Sequence, residues 1–222
     1  MALSRRLCSA LFLVSAATVG FEIALTRYFA VAKWSEYGYW VISIVLAGFA
    51  LSGVVMALAR NGLAQRGPTL LAWLPALLII AAAGGFQLTA ANPFNPLQLQ
   101  NTATFAAQLW FIAGYYACLL PFFFAAGLFV SLSFVVGEQA VGRVYGFDLT
   151  GAGAGSLLVL GLMMVVHPFA LVQCLLPLLA AAAIPMARGH RLAAVAALLA
   201  LVASEAGLWF DNPAAINDYK AI

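Results

Sequence analysis

From residue 105 to residue 136 the chain runs without a single charged side chain. A helix that crosses a hydrocarbon core of roughly 30 Å needs about 20 apolar residues, and this run of roughly 30 exceeds that length. Comparable runs recur at residues 7–26, 39–58, 69–86, 151–166, 169–186 and 192–210. Over the whole chain 65% of residues are hydrophobic and 8% are charged, with a mean hydropathy of +1.04. Soluble domains do not carry that balance. The sequence therefore predicts an all-α fold, a polytopic transmembrane helical bundle of about seven spans over residues 1–210, followed by an extramembrane tail at 211–222. Pro121 interrupts the long central run and predicts a kinked, tilted helix there. A short re-entrant element ahead of a full span is the alternative, since irregular backbone is tolerated where protein or water covers it.

The segments between the runs read as turns and loops. The link YFAVAKWSEYGYW carries Trp34, Tyr37, Tyr39 and Trp40, residues suited to the headgroup level, and reads as an interfacial turn. NGLAQRGP reads as a loop whose Pro68 suits the first turn of the next helix, where its backbone lacks only an N–H that would be unpaired anyway. LTAANPFNPLQLQNTAT is polar, bears prolines and lacks Lys and Arg, and reads as an extramembrane loop. His167 and Pro168 allow a tight turn between two spans. The basic start and small residues Ser15, Ala16 and Ala17 are signal-peptide-like, yet the apolar character continues toward Val31, which favours a retained first span.

Charge sets the orientation. With the N-terminus in the cytoplasm, Arg5, Arg6, Arg60, Arg66, Arg143, Arg188 and Arg191 fall inside, and Arg27, Lys33 and Lys220 fall outside, seven against three. An odd span count then places the tail on the outer face. The expected location is a bacterial inner membrane. A formal charge of +3 without a basic patch gives no reason to expect a nucleic-acid partner. Cys8, Cys118 and Cys174 are far apart in apolar sequence, fitting neither a zinc pattern nor a disulfide framework.

The stretch GRVYGFDLTGAGAGSLLVLGLMMVVHP, residues 142–168, joins a polar loop to a glycine-rich helix. A phosphate-cradling loop would need a preceding strand, and the flanks do not provide one. Gly151 and Gly155, four residues apart, fit a small-residue face on which two helix backbones approach closely. Arg143 and Asp148 at the entrance to this span form a candidate cytoplasmic-side polar site, because ionisable groups near the membrane are functional candidates. The favoured alternative is that Asp148 is simply an acid at a helix N-terminus, a position the dipole alone accounts for.

Glu22 and Glu205 lie inside spans, where a mid-helix charge costs about 2.5–3.5 kcal/mol on insertion scales. With Arg27 they form a candidate intramembrane polar cluster in the outer half, the alternative being separate acids, each satisfied locally. Trp110, Tyr115 and Tyr116 are either a ligand-pocket lining or members of an interfacial aromatic belt, and the belt is the common reason for such residues. His167 has no second ligand nearby in sequence, so no metal site is expected. No serine, histidine and acid arrangement suggests a nucleophile.

Four segments, GFEIALTR with Glu22 and Arg27, YGYWVISIVLAGFALSG, LPFFFAAGLFVSL and GRVYGFDLTGAGAGSLL, resemble in this order the membrane portion of the spermidine synthase-like multi-span membrane proteins. Asp218, Tyr219 and Lys220 resemble the point where the soluble domain of that family begins. The resemblance implies an integral membrane domain that anchors or regulates a soluble, polyamine aminopropyltransferase-like part absent from these residues. That part would bind decarboxylated S-adenosylmethionine or a related donor in a Rossmann-like sheet. No catalytic residue and no cofactor is expected within the chain itself. Two other readings stand beside it: a non-catalytic subunit docking onto a larger membrane complex, and a transporter of a small cationic molecule. The expected partners are the lipid bilayer, other membrane subunits or a soluble catalytic domain.

Overall fold

The computed structural model describes residues 2–187, 189–211 and 216, which form helices joined by short links. The helices are α1 (Ala2–Ala32), α2 (Gly38–Gln65), α3 (Gly67–Ala90), α4 (Phe105–Val136), α5 (Val141–Leu162), α6 (Leu171–Met186) and α7 (Arg191–Phe210). All seven are long and apolar enough to cross a membrane. Arg188, Asp218, Tyr219 and Lys220, used above for topology and for the resemblance, lie outside the described residues.

Several helix ends differ from the sequence reading. The first span continues past Thr26 to Ala32, so Tyr28 to Ala32 belong to a helix and the link shrinks to a short 3₁₀ turn at Ser35–Tyr37. The expected loop at 61–68 reduces to Arg66 alone, with α2 bent at Ala59 (φ −112°, ψ 20°) and Pro68 in the first turn of α3. The polar loop expected before the glycine-rich span is already helical from Val141. The run at 105–136 is one helix that passes through Pro121 rather than a re-entrant element and a span.

Alternate crossing puts the links at two ends. At one, the Lys33 end, Lys33 meets Asn92, Tyr28 meets Phe169 edge-on at 5.7 Å, and Gln87 reaches the Asp211 carbonyl at 3.3 Å. At the other, the Arg66 end, Arg6, Pro68, Val136, Met186 and His190 line a common small cleft.

Helix α1 is the hub, lying along α5 and α6 and touching α2 and α4. Lipid tails are as apolar as leucine, so dispersion between closely approaching surfaces must hold such helices together. The contacts accordingly pair a bare backbone with a bulky or flat surface. In α5 the buried residues are Val144, Gly151, Gly155 and Val159, a single stripe turned to α1. A Cβ added at Gly151 would stand 2.9 Å from Phe12 Cα, and one at Gly155 would stand 2.6 Å from Ala16 Cα. The α2–α4 interface repeats the device: a Cβ on Gly48 would meet the Phe123 carbonyl carbon at 2.9 Å, and one on Gly127 would meet Phe49 Cα at 3.2 Å. Phe21 of α1 seals the centre against Phe122 at 4.4 Å between rings.

Helices α2, α5 and α7 turn rows of apolar side chains outward, among them Leu46, Val54, Leu157, Leu160, Leu198 and Val202. A patch of this extent on a soluble surface would drive aggregation, whereas hydrocarbon is its natural solvent. The chain is an integral membrane protein.

Candidate functional site

The Lys33 end holds a fully buried lysine. Lys33 continues the buried helical period of α1 set by Leu25 and Phe29, and its backbone N–H bonds the Phe29 carbonyl at 2.9 Å. That register carries the side chain inward, where it is fully buried. Its Nζ donates to the Tyr115 Oη on α4 and to the Asn92 carbonyl at 3.4 Å, and sits 4.7 Å from the Tyr115 ring centroid.

Asn92 is positioned to serve as that acceptor. Its Nδ2 donates to the Phe111 carbonyl at 2.8 Å and its Oδ1 accepts the Phe94 N–H at 3.0 Å, so one side chain ties the turn after α3 to α4. Buried Gln108 strengthens the same link, accepting from the Asn95 N–H at 2.9 Å and donating to Gln98 Oε1 at 3.0 Å. Aromatic rings close the surroundings: Phe29 and Trp40 lie 5.4 and 5.7 Å from the Tyr115 ring, and Phe94 lies edge-on to Tyr37 at 5.5 Å. An ammonium removed from water in this way is penalised, and burial lowers the Lys33 pKa to about 8. The group thus joins α1, the α3–α4 link and α4, and it can release its proton far nearer neutrality than an exposed lysine.

Sequence reasoning counted Lys33 as an outer topology charge. Two signals pointed elsewhere: its place four residues after Phe29 on a continuing helical face, and the density of aromatic residues around it. The aromatic residues split. Trp110 is 78% exposed and suits a belt, whereas Tyr115 is fully buried and is part of the lysine site, with Tyr116 half-buried between these extremes.

Asp148 and Arg143 are on the same helix but face different ways. Arg143 is exposed, while Asp148 accepts a hydrogen bond from the buried Ser15 Oγ of α1 at 2.5 Å. Because α5 begins at Val141, Asp148 lies about two turns inside the helix, beyond the first turn over which a dipole acts. Its partner is the facing helix, one turn before Gly151. Ser15→Ala is expected to cost about 1–2 kcal/mol, since the bond to an acid is lost in a buried interface. A thermal midpoint in detergent equal to that of the wild type would show that the bond contributes nothing.

Glu22 and Glu205 are half-buried and Arg27 is exposed. Glu205 is within electrostatic reach of the Cys174 thiol on α6, whereas Glu22 belongs to α1, whose Thr26 Oγ1 donates to the Glu22 carbonyl at 2.9 Å. Helices α1 and α7 both lie against α6 and share at most a marginal contact with one another. Both acids lie in the half of their helices nearer the Lys33 end, with Glu22 further from its helix end because α1 continues to Ala32. Gly151 and Gly155 stand against the backbone of α1, as described above. His167 accepts the Phe169 N–H at 3.4 Å and caps the Pro168–Ala170 turn. Cys8, Cys118 and Cys174 are free thiols, and among the described residues no three His, Cys, Asp or Glu side chains converge as a metal set.

No protein-family model, no curated protein and no solved structure matches the chain.

Proposed function

We propose that this chain is the membrane domain of a spermidine synthase-like protein, a lipid-embedded bundle that anchors a soluble aminopropyltransferase-like part at an inner membrane with its N-terminus in the cytoplasm. The observation that supports this reading most is where the four resembling segments lie. YGYWVISIVLAGFALSG and LPFFFAAGLFVSL meet across the α2–α4 interface through Gly48 and Gly127. GFEIALTR and GRVYGFDLTGAGAGSLL belong to α1 and α5, where Gly20 faces Val159 and Gly155 faces Ala16. Residue types that identify the segments are thus occupied in packing helices, which is what a domain that carries rather than performs the chemistry requires.

Orientation follows from the arginines. Arg5, Arg6, Arg60, Arg66, Arg143 and Arg191 gather at or near the Arg66 end, and by the positive-inside rule this supports a cytoplasmic side for that end. Lys33, buried, contributes little to the opposing count. Asp211 leaves α7 at the Lys33 end, so a soluble part joined after it works on the outer side.

The test is transfer of an aminopropyl group from decarboxylated S-adenosylmethionine to putrescine. Membranes carrying the product of the whole gene, or of its operon, are expected to catalyse it, while purified residues 1–222 neither catalyse it nor bind the donor. Micromolar donor binding by residues 1–222, or inert membranes, would overturn the reading. Inert membranes from which a larger integral complex co-purifies would turn it to the docking subunit.

A further inference from the structure

The Arg66 end carries a basic mouth at the start of the seam between α3 and α7. Trp73 of α3 and residues Gly189 to Ala193 at the start of α7 line a cleft of about 430 Å³. Arg191 stands in its wall, and His190 is shared with a smaller cleft that Arg6 of α1 enters. No carboxylate lines either cleft among the described residues. Deeper between the same helices runs a second space of about 530 Å³, walled by Ile80, Ala83, Gly84, Ala196, Ala203 and neighbouring small or apolar residues. It faces outward, since Ile80 is 57% and Leu199 66% exposed, and it ends near Gln87 and Gly207.

The two spaces are aligned. Helices α3 and α7 run in the same direction from the Arg66 end, so the passage from Trp73 to Gln87 covers about 21 Å at 1.5 Å per residue. One leaflet of hydrocarbon is about 15 Å deep, so an acyl chain whose headgroup sits at Trp73 extends to about Ala83, beside Gly84, within the groove. A tryptophan at the mouth suits headgroup level.

We propose that this surface binds one anionic phospholipid, its phosphate among Arg6, His190 and Arg191 and one acyl chain along the α3–α7 groove. The charge of the mouth selects the headgroup, because basic pockets between membrane helices attract anionic heads. The bare groove selects a chain over a bulky side chain, and Gly84, where an added Cβ meets no atom within 4 Å, leaves room for it. The inference rests on the membrane fold alone and is independent of any transferase.

The experiment is native mass spectrometry of the purified chain released from phosphatidylcholine vesicles doped with phosphatidylglycerol, with thermal melts to confirm folding. Wild type is expected to retain one phosphatidylglycerol. Arg6→Gln combined with Arg191→Gln should weaken retention by about thirtyfold, each arginine near a membrane surface being worth roughly fivefold. The charge-matched pair Arg60→Gln with Arg143→Gln, away from the mouth, should leave retention unchanged. Gly84→Leu should weaken retention of the full-length lipid and leave glycerol phosphate unaffected. Equal losses in the two arginine pairs would reduce the effect to general surface charge and overturn the site. Displacement by millimolar inorganic phosphate would identify a phosphate site instead and overturn the lipid, as would indifference to Gly84→Leu.

Discussion

Gly155→Ala is expected to destabilise the protein strongly, while Gly153→Ala in the same helix is expected to stabilise it. A methyl group at position 155 would stand 2.6 Å from Ala16 Cα and 2.7 Å from its carbonyl carbon, both backbone atoms of α1. Neither can turn aside as a flexible side chain would, so relief requires α1 and α5 to separate along their whole contact. Overpacking a well-filled interior costs about 1–3 kcal/mol, and a clash with rigid backbone belongs at or beyond the upper figure. A chain of this size loses about 2–4 °C in Tm per kcal/mol, so a fall near 10 °C is the expected scale. At Gly153 an added Cβ meets nothing within 4 Å, and replacing glycine in a helix interior gains about 1 kcal/mol from backbone entropy. Gly155→Leu should prevent folding outright. Thermal melts of the two alanine variants in one detergent decide the matter: if they shift alike, the close approach of α1 and α5 does not exist.

This interface was legible because its signal is local. Glycines four residues apart on one helix declare a bare face whatever the neighbour, and hydropathy counted over a span declares a membrane helix. The ends of the helices were not legible in the same way. Tyr28 to Ala32 look like the start of an interfacial link, yet the helix continues because Tyr28 and Phe29 bury themselves against Phe86 and Tyr115, contacts that hydropathy along one segment does not encode. Likewise, Arg143, Tyr145 and Asp148 read as loop, while in the folded chain their backbone is helical and only Asp148 among them turns to α1. The fate of a charge was harder still. Arg27 and Lys33 lie six residues apart and look equivalent, but one is exposed and the other fully buried, because the difference is made by Asn92 after α3 and Tyr115 on α4, far along the chain.

Lys33 is expected to make the stability of the protein depend on pH in a direction opposite to that of an ordinary surface lysine pair. Burial depresses its pKa to about 8 in the folded chain, against about 10.4 when unfolded. Below pH 8 both states hold the proton, and the folded state bears the full penalty of the buried ammonium. Between about 8 and 10.4 the unfolded state binds more protons, so stability rises with pH across that window, by on the order of 3 kcal/mol at 1.36 kcal/mol per pKa unit. Lys33→Met removes the effect, since an apolar side chain of similar length has no proton to exchange. At pH 7 the methionine variant is therefore expected to match or exceed the wild type in Tm, and the difference should shift toward the wild type as pH rises to about 9.5, below the range where tyrosines ionise. Tyr115→Phe probes the same site from the other side. It takes an acceptor from a buried cation, a loss of about 1.5–3 kcal/mol at pH 7, and should cost far less once Lys33 is methionine. Parallel melting curves for wild type and Lys33→Met across that pH range, or a Tyr115→Phe cost that is the same in both backgrounds, would mean that the lysine is not held charged in the aromatic site.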